Sequence, residues 1–187
     1  MNTKHFANKK LLWTLFLICV VLTIWILIFK LCIKDLFHFE NITQFSVAEW
    51  FAIGINPAVS LPLFTPNEAA LRLYIGEQSI NVLATIPLGI LASFVMKKRH
   101  AFLFSALFII SIELTQLFCQ IGGFDVIDFA TNMVGVSIGV LIYCLWLGKL
   151  SSPTIDKTCK IFVAIFAPIT IYAIYSMIFV FPTFLPA

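Results

Sequence analysis

Three polar side chains recur within one apolar run: Glu113, Gln116 and Gln120 follow the i, i+3, i+7 spacing that aligns them along one face of an α-helix. A short way on, Asp128, Asn132, Gly135 and Gly139 follow i, i+4, i+7, i+11, again a single face. Two kinds of chemistry suit such a set. Glu113 is placed to act as a general base, with Asp125 or Asp128 orienting water, in the hydrolysis or transfer of a lipid-linked group. Alternatively, the carboxylates and amides together form a polar, mildly acidic pocket that holds a head group or a basic ligand.

The rest of the sequence favours binding over catalysis. No Ser-His-Asp set, zinc signature or phosphate-binding loop is present, and Asp with Glu alone underdetermines a reaction. His5, His38 and His100 lie in flanks or loops. The cysteines at positions 19, 32, 119, 144 and 159 show neither CxxC nor Cys/His ligand spacing, so buried free thiols are expected, with no metal and no cofactor.

The surroundings of these residues make them costly. The chain has 187 residues, 61% hydrophobic and 11% charged, whereas an ordinary soluble domain is roughly 25% charged. A bilayer core of about 30 Å takes about 20 mainly apolar residues per helical span, and spans are expected at about 11–31, 78–96, 101–121, 127–147 and 161–181. The predicted fold is therefore all-α, a polytopic bundle of about five transmembrane helices forming one membrane domain over residues 1–187, with no room for a separate soluble catalytic domain. An ionisable group at mid-bilayer costs about 2.5–3.5 kcal/mol on translocon scales. Glu113, Asp128 and Asn132 accordingly need a partner or a purpose.

Orientation follows the distribution of Lys and Arg. Lys4, Lys9, Lys10, Lys97, Lys98, Arg99, Lys149, Lys157 and Lys160 fall on one side of this topology, and Lys30, Lys34 and Arg72 on the other. The N-terminus is expected inside and the C-terminus outside, with the net charge of +3 explained by these flanks rather than by nucleic-acid binding. The long outer segment contains a charge-free stretch at 50–66 broken by Pro57, Pro62 and Pro66, which suits an interfacial or re-entrant hairpin.

In this topology the tight Gly122-Gly123 link makes the third and fourth spans adjacent and antiparallel, so their polar stripes can face each other near the outer surface. The second span adds Glu77, Gln78 and Asn81 at its outer end, with Lys30 and Arg72 as the nearest counter-charges. The expected pocket thus comprises Lys30, Glu77, Asn81, Glu113, Gln116, Asp125, Asp128 and Asn132. Asp125 has a second reading as the cap of the fourth span. Pro87 and Gly89 should bend the second span, and Gly135-x-x-x-Gly139 is a close-packing device between membrane helices.

The run Ile112-Glu113-Leu114-Thr115-Gln116, followed by Asp125-x-x-Asp128-x-x-x-Asn132-x-x-Gly135-x-x-x-Gly139, resembles the signature of the VanZ-like family. Upstream, Asn81 and Pro87-Leu88-Gly89 resemble that family's second helix, and in the first span Leu22-Thr23-x-Trp25 with Phe29-Lys30-Leu31 resemble the family's glycopeptide-resistance member. The likeness covers the first span and residues 75–145. Two positions depart from the pattern: Gly122 stands where many members have arginine, removing a candidate partner for Asp125 or Asp128, and Thr85 stands where many have an aromatic residue. The resemblance implies a multi-pass protein of the bacterial plasma membrane that lowers susceptibility to teicoplanin-type lipoglycopeptides. The partners it implies are membrane lipids and a lipid-linked cell-wall precursor or the lipoglycopeptide itself.

Overall fold

The computed structural model describes residues 8–36, 46–55, 68–118 and 124–180, and every regular element among them is helical. In lipid a backbone must satisfy its own polar groups, which a helix does within one segment. The long helices are α1 (Lys9–Leu36), α3 (Glu68–Val95), α4 (Lys98–Phe118), α5 (Val126–Leu145) and α6 (Ser152–Tyr175). A short α2 (Val47–Gly54) precedes α3, a 3-10 turn follows α5 at Leu147–Lys149, and α6 widens into a π-turn at Ser176–Val180. Windows long and apolar enough to cross a membrane lie at Lys9–Ile28, Tyr74–Val95, Lys98–Phe118, Val126–Lys149 and Ser152–Ile178. The molecule is a multi-pass membrane protein.

Two of these helices start well before the charge-free windows that predict them. α3 begins at Glu68, not near residue 78, and α6 begins at Ser152, not near 161. Charged side chains interrupt a hydropathy window, yet at a membrane surface they project into water and leave the backbone helical. Arg72 and Glu77 thus lie within the first three turns of α3, and Asp156, Lys157 and Lys160 within the first three turns of α6. Pro87 is accommodated inside a continuous α3, its ring on an exposed face. Of the stretch 50–66, residues up to Gly54 belong to α2, and residues 56–66 lie outside the described part. α2 opens with a capping box: the Ser46 hydroxyl and backbone N–H both donate to the Glu49 carboxylate at 2.7 Å, and the Glu49 N–H donates back to the Ser46 hydroxyl at 3.3 Å. These bonds hold the Glu49 carboxyl below its ordinary range.

Side-chain contacts fix how the helices run. Leu12 and Leu15 of α1 cluster with Ile155 and Cys159 of α6, against Phe94 and Val95 at the end of α3. Phe16 meets Phe104 of α4 at 5.5 Å between ring centroids, and Phe94 meets Tyr143 of α5 at 4.7 Å. The starts of α1, α4 and α6 therefore share one end with the finishes of α3 and α5. Lys9, Lys10, Lys97, Lys98, Arg99, Lys149, Lys157 and Lys160 gather there, and we call it the basic end. At the opposite end Trp25 donates to the Ser176 hydroxyl at 2.8 Å, tying α1 to the π-turn that follows α6. Phe51 of α2 meets Phe124, just before α5, at 5.8 Å.

The most extensive packing is between α3 and α5, which run parallel. Small residues make it so close. A methyl group on Gly89 would overlap the Val136 carbonyl, one on Gly135 the Thr85 hydroxyl and Val82 carbonyl, and one on Gly139 the Ile86 carbonyl. Backbone lies on backbone here, the use of glycine expected between membrane helices.

Candidate functional site

At the end opposite the basic one, polar side chains from α3, α4 and α5 meet in a buried layer. Asn81, Glu113, Gln116, Asp128 and Asn132 are each at most 7% exposed. They come together because α3 and α5 hold one register: Asn81 reaches Asp128, and Thr85 reaches Asn132, each across 47 residues of sequence. One turn further on, Gly89 lies against Val136. Each helix contributes an i, i+4, i+8 ridge, and the glycine contact sets how closely the polar turns above it approach.

Asp128 is the hub. Its Oδ1 accepts from the side-chain amides of Asn81 and Gln78, both at 2.9 Å. Gln78 Oε1 accepts in turn from the Thr131 hydroxyl at 2.8 Å. The Thr85 hydroxyl donates to the backbone carbonyl of Asn132 at 2.8 Å, lying equally close to that of Asn81. Asn132 itself is fully buried, and neither end of its side-chain amide has a hydrogen-bond partner.

Glu113 approaches from α4, 1% exposed, and accepts from the Asp125 backbone N–H at 3.4 Å. Asp125 does what its capping reading requires: its Oδ1 accepts from the Ile127 N–H at 2.7 Å and starts α5. The Gln116 amide points away from α5 and donates to the Leu27 carbonyl of α1 at 3.0 Å. Glu77 and Asp125 are half-buried and Arg72 is exposed, so these three are more accessible than the layer itself.

Compared with the sequence expectation, α4 and α5 are neighbours, but the polar stripe of α5 hydrogen-bonds chiefly to α3. Chain adjacency points to the antiparallel partner across the Gly-Gly link. The parallel partner is chosen by the glycine surface, which sequence spacing alone does not pair. Thr85 and Thr131 are the participants that spacing leaves out. Thr131 is detectable as i+3 from Asp128, and Thr85 as i+4 from Asn81. The side chain of Lys30, together with Gln120, Gly122 and Gly123, lies outside the described part.

A shallow groove of about 340 Å³ lies on the apolar flank of α5 along Ala130, Met133, Val134, Ser137, Ile138 and Leu141. No cluster of three or more His, Cys, Asp or Glu suited to a metal ion occurs among the described residues.

Five helices able to span a membrane among the described residues, with a buried layer of carboxylate and amide side chains towards one end, define the class: a polytopic membrane protein. The sequence model of the VanZ/LLP1 family matches residues 11–147, and the chain belongs to that family. No curated protein and no solved structure matches it.

Proposed function

We propose that this protein lowers the susceptibility of a bacterial cell to teicoplanin-type lipoglycopeptides, acting from the plasma membrane through the polar layer around Asp128. In this reading the basic end is cytoplasmic, following the bias of Lys and Arg, and the polar layer sits in the outer leaflet. The observation that carries the reading is the convergence of Gln78, Asn81, Glu113, Gln116, Asp128 and Asn132 from three helices at one end. A helix pair that needed only adhesion would be served by amides at lower cost than by buried carboxylates. The more accessible Arg72, Glu77 and Asp125 are where a lipid head group or the basic part of a drug would meet the layer.

A second reading, an intramembrane hydrolase or transferase acting on a lipid-linked cell-wall substrate, draws on Glu113, a carboxylate held by a backbone N–H inside the bundle. One experiment tests both. The inhibitory concentration of teicoplanin is measured in a susceptible Gram-positive host expressing the wild type, Glu113→Gln or Asp128→Asn at equal membrane abundance. Resistance conferred by the wild type and lost in Asp128→Asn supports the binding reading, and complete loss in Glu113→Gln alone favours catalysis. Equal values for wild type and empty vector would refute the resistance function.

A further inference from the structure

Eight of the nine Lys and Arg residues whose side chains the structure describes stand at the basic end, and all eight are exposed. They come from four separate stretches of chain: the start of α1, the link between α3 and α4, the turn after α5 and the start of α6. The contacts of Leu12 and Leu15 with Ile155 and Cys159, and of Phe16 with Phe104, bring these stretches together. Lys98 also lies within electrostatic reach of the Tyr143 hydroxyl of α5. Among the described residues the only carboxylate at this end is Asp156, one of whose oxygens is buried, and no ion pair joins it to any of the eight. The patch therefore takes its counter-charges from outside the chain.

Which anions those are follows from the level of the patch. Lys9, Lys98 and Lys149 are terminal residues of windows apolar enough to cross a membrane, and Lys157 and Lys160 fall inside that of α6, so their ammonium groups reach the head-group level. Trp13 and Trp146, 45% and 67% exposed, stand one turn from Lys9 and Lys149 on the bilayer side, where indole rings form an interfacial belt. At that level the nearest anions are lipid phosphates, and gathered cations attract lipids of net negative charge. In a zwitterionic lipid the head group's own ammonium offsets the phosphate. A soluble polyanion would meet the patch from the aqueous side only and leave the indoles uncovered. We propose that the basic end is a docking surface for phospholipid of net negative charge, bound in preference to zwitterionic phospholipid, with its phosphate on the gathered Lys and Arg and its glycerol region against Trp13 and Trp146. Orienting the chain on insertion is a separate role of the same cations, and it predicts no preference among lipids in the folded protein. The surface is independent of the polar layer and of the resistance reading.

The test uses the full chain, purified in a non-ionic detergent and given equimolar phosphatidylglycerol and phosphatidylcholine of matched acyl chains. The lipids that stay on the protein are counted by mass spectrometry of the intact complex. Phosphatidylglycerol should be retained at least about tenfold over phosphatidylcholine at low salt, and the excess should shrink severalfold at about 0.5 M salt. Lys97→Gln, Lys98→Gln and Arg99→Gln combined should lower the preference at least about fivefold, whereas the charge-keeping Lys97→Arg, Lys98→Arg and Arg99→Lys combined should preserve it. Equal retention of the two lipids by the wild type would overturn the docking surface, as would an undiminished preference in the glutamine variant. Binding of polyglutamate with no preference between the lipids would assign the end to a soluble acidic partner and overturn it likewise. If the glutamine variant fails to insert or fold, the wild type decides: a preference that salt leaves unchanged is not held by these charges. None of these outcomes bears on the teicoplanin measurement, because no cation of this end belongs to the polar layer.

Discussion

Gly135→Ala and Gly76→Ala are the same chemical change on two helices, and the structure gives them opposite signs. In a helix interior alanine is favoured over glycine by about 1 kcal/mol. At Gly76 nothing lies within 4 Å of the added methyl group, so that gain is retained and the protein should be stabilised by up to about 1 kcal/mol. At Gly135 the methyl group meets the Thr85 hydroxyl and the Val82 carbonyl, and lies 3.0 Å from the Val82 carbonyl carbon. A backbone neighbour cannot rotate aside, so α3 and α5 must separate. Overpacking of this kind costs about 1–3 kcal/mol, and separation weakens the Thr85–Asn132 bond, for which about 0.6 kcal/mol is typical in membrane proteins. Net of the propensity gain, Gly135→Ala should destabilise by about 1–2 kcal/mol. The gap between the two variants is then about 2–3 kcal/mol, or roughly two decades in the folding equilibrium. Reversible unfolding of the purified protein in mixed micelles of rising SDS content reads that gap directly. Equal stability of the two alanine variants would refute the backbone-on-backbone packing of α3 against α5, and with it the register that brings Asn81 to Asp128.

Two further outcomes are expected. Gln116→Leu removes the donor to the Leu27 carbonyl while keeping most of the volume, so it should cost about 1 kcal/mol and speed amide exchange in α1 near Leu27, read by hydrogen exchange and mass spectrometry; unchanged exchange would mean the bond contributes nothing. At α2, the carboxyl of Glu49 sits below its ordinary value of 4.5 because the Ser46 hydroxyl and N–H donate to it. The sign follows from that direction: the capping contribution is present above 4.5 and is lost as the pH falls below it. Amide protection across Val47–Gly54 should therefore weaken on acidification in the wild type and not in Glu49→Gln.

The spans were legible because bilayer thickness and backbone hydrogen bonding leave helices little freedom, and long apolar runs such as Leu11 to Phe29 report them directly. Their ends were less so, as Glu68 and Ser152 show, because a window that stops at charge cannot see a helix continuing into water. The polar residues themselves were legible from type and spacing: Glu113, Asp128 and Asn132 stand out against an apolar background. Their pairing was not. Asp128 turns to Asn81 and Gln78, which the chain separates by an entire intervening helix, because Gly89, Gly135 and Gly139 allow two parallel backbones to touch. That choice depends on the shapes of two surfaces at once, and a one-dimensional periodicity records each surface but not their fit.

The same glycines connect packing to function. A polar layer in a membrane protein is only as well defined as the helices that hold it, since neighbouring lipid offers no hydrophobic force to drive them together. Here the glycine contacts run from Gly135 against Val82 and Thr85, at the level of the layer, to Gly89 against Val136 and Gly139 against Ile86, further from it. Closure is therefore set both within the layer and beside it. α6 stands apart from this arrangement: it packs chiefly on α1 and lies beyond the family-matched residues 11–147, whereas every residue of the layer lies within them. The unit that carries the layer is α1 with α3, α4 and α5. α6 bears on it through α1, by the cluster of Leu12, Leu15, Ile155 and Cys159 at the basic end and by the Trp25–Ser176 bond at the other.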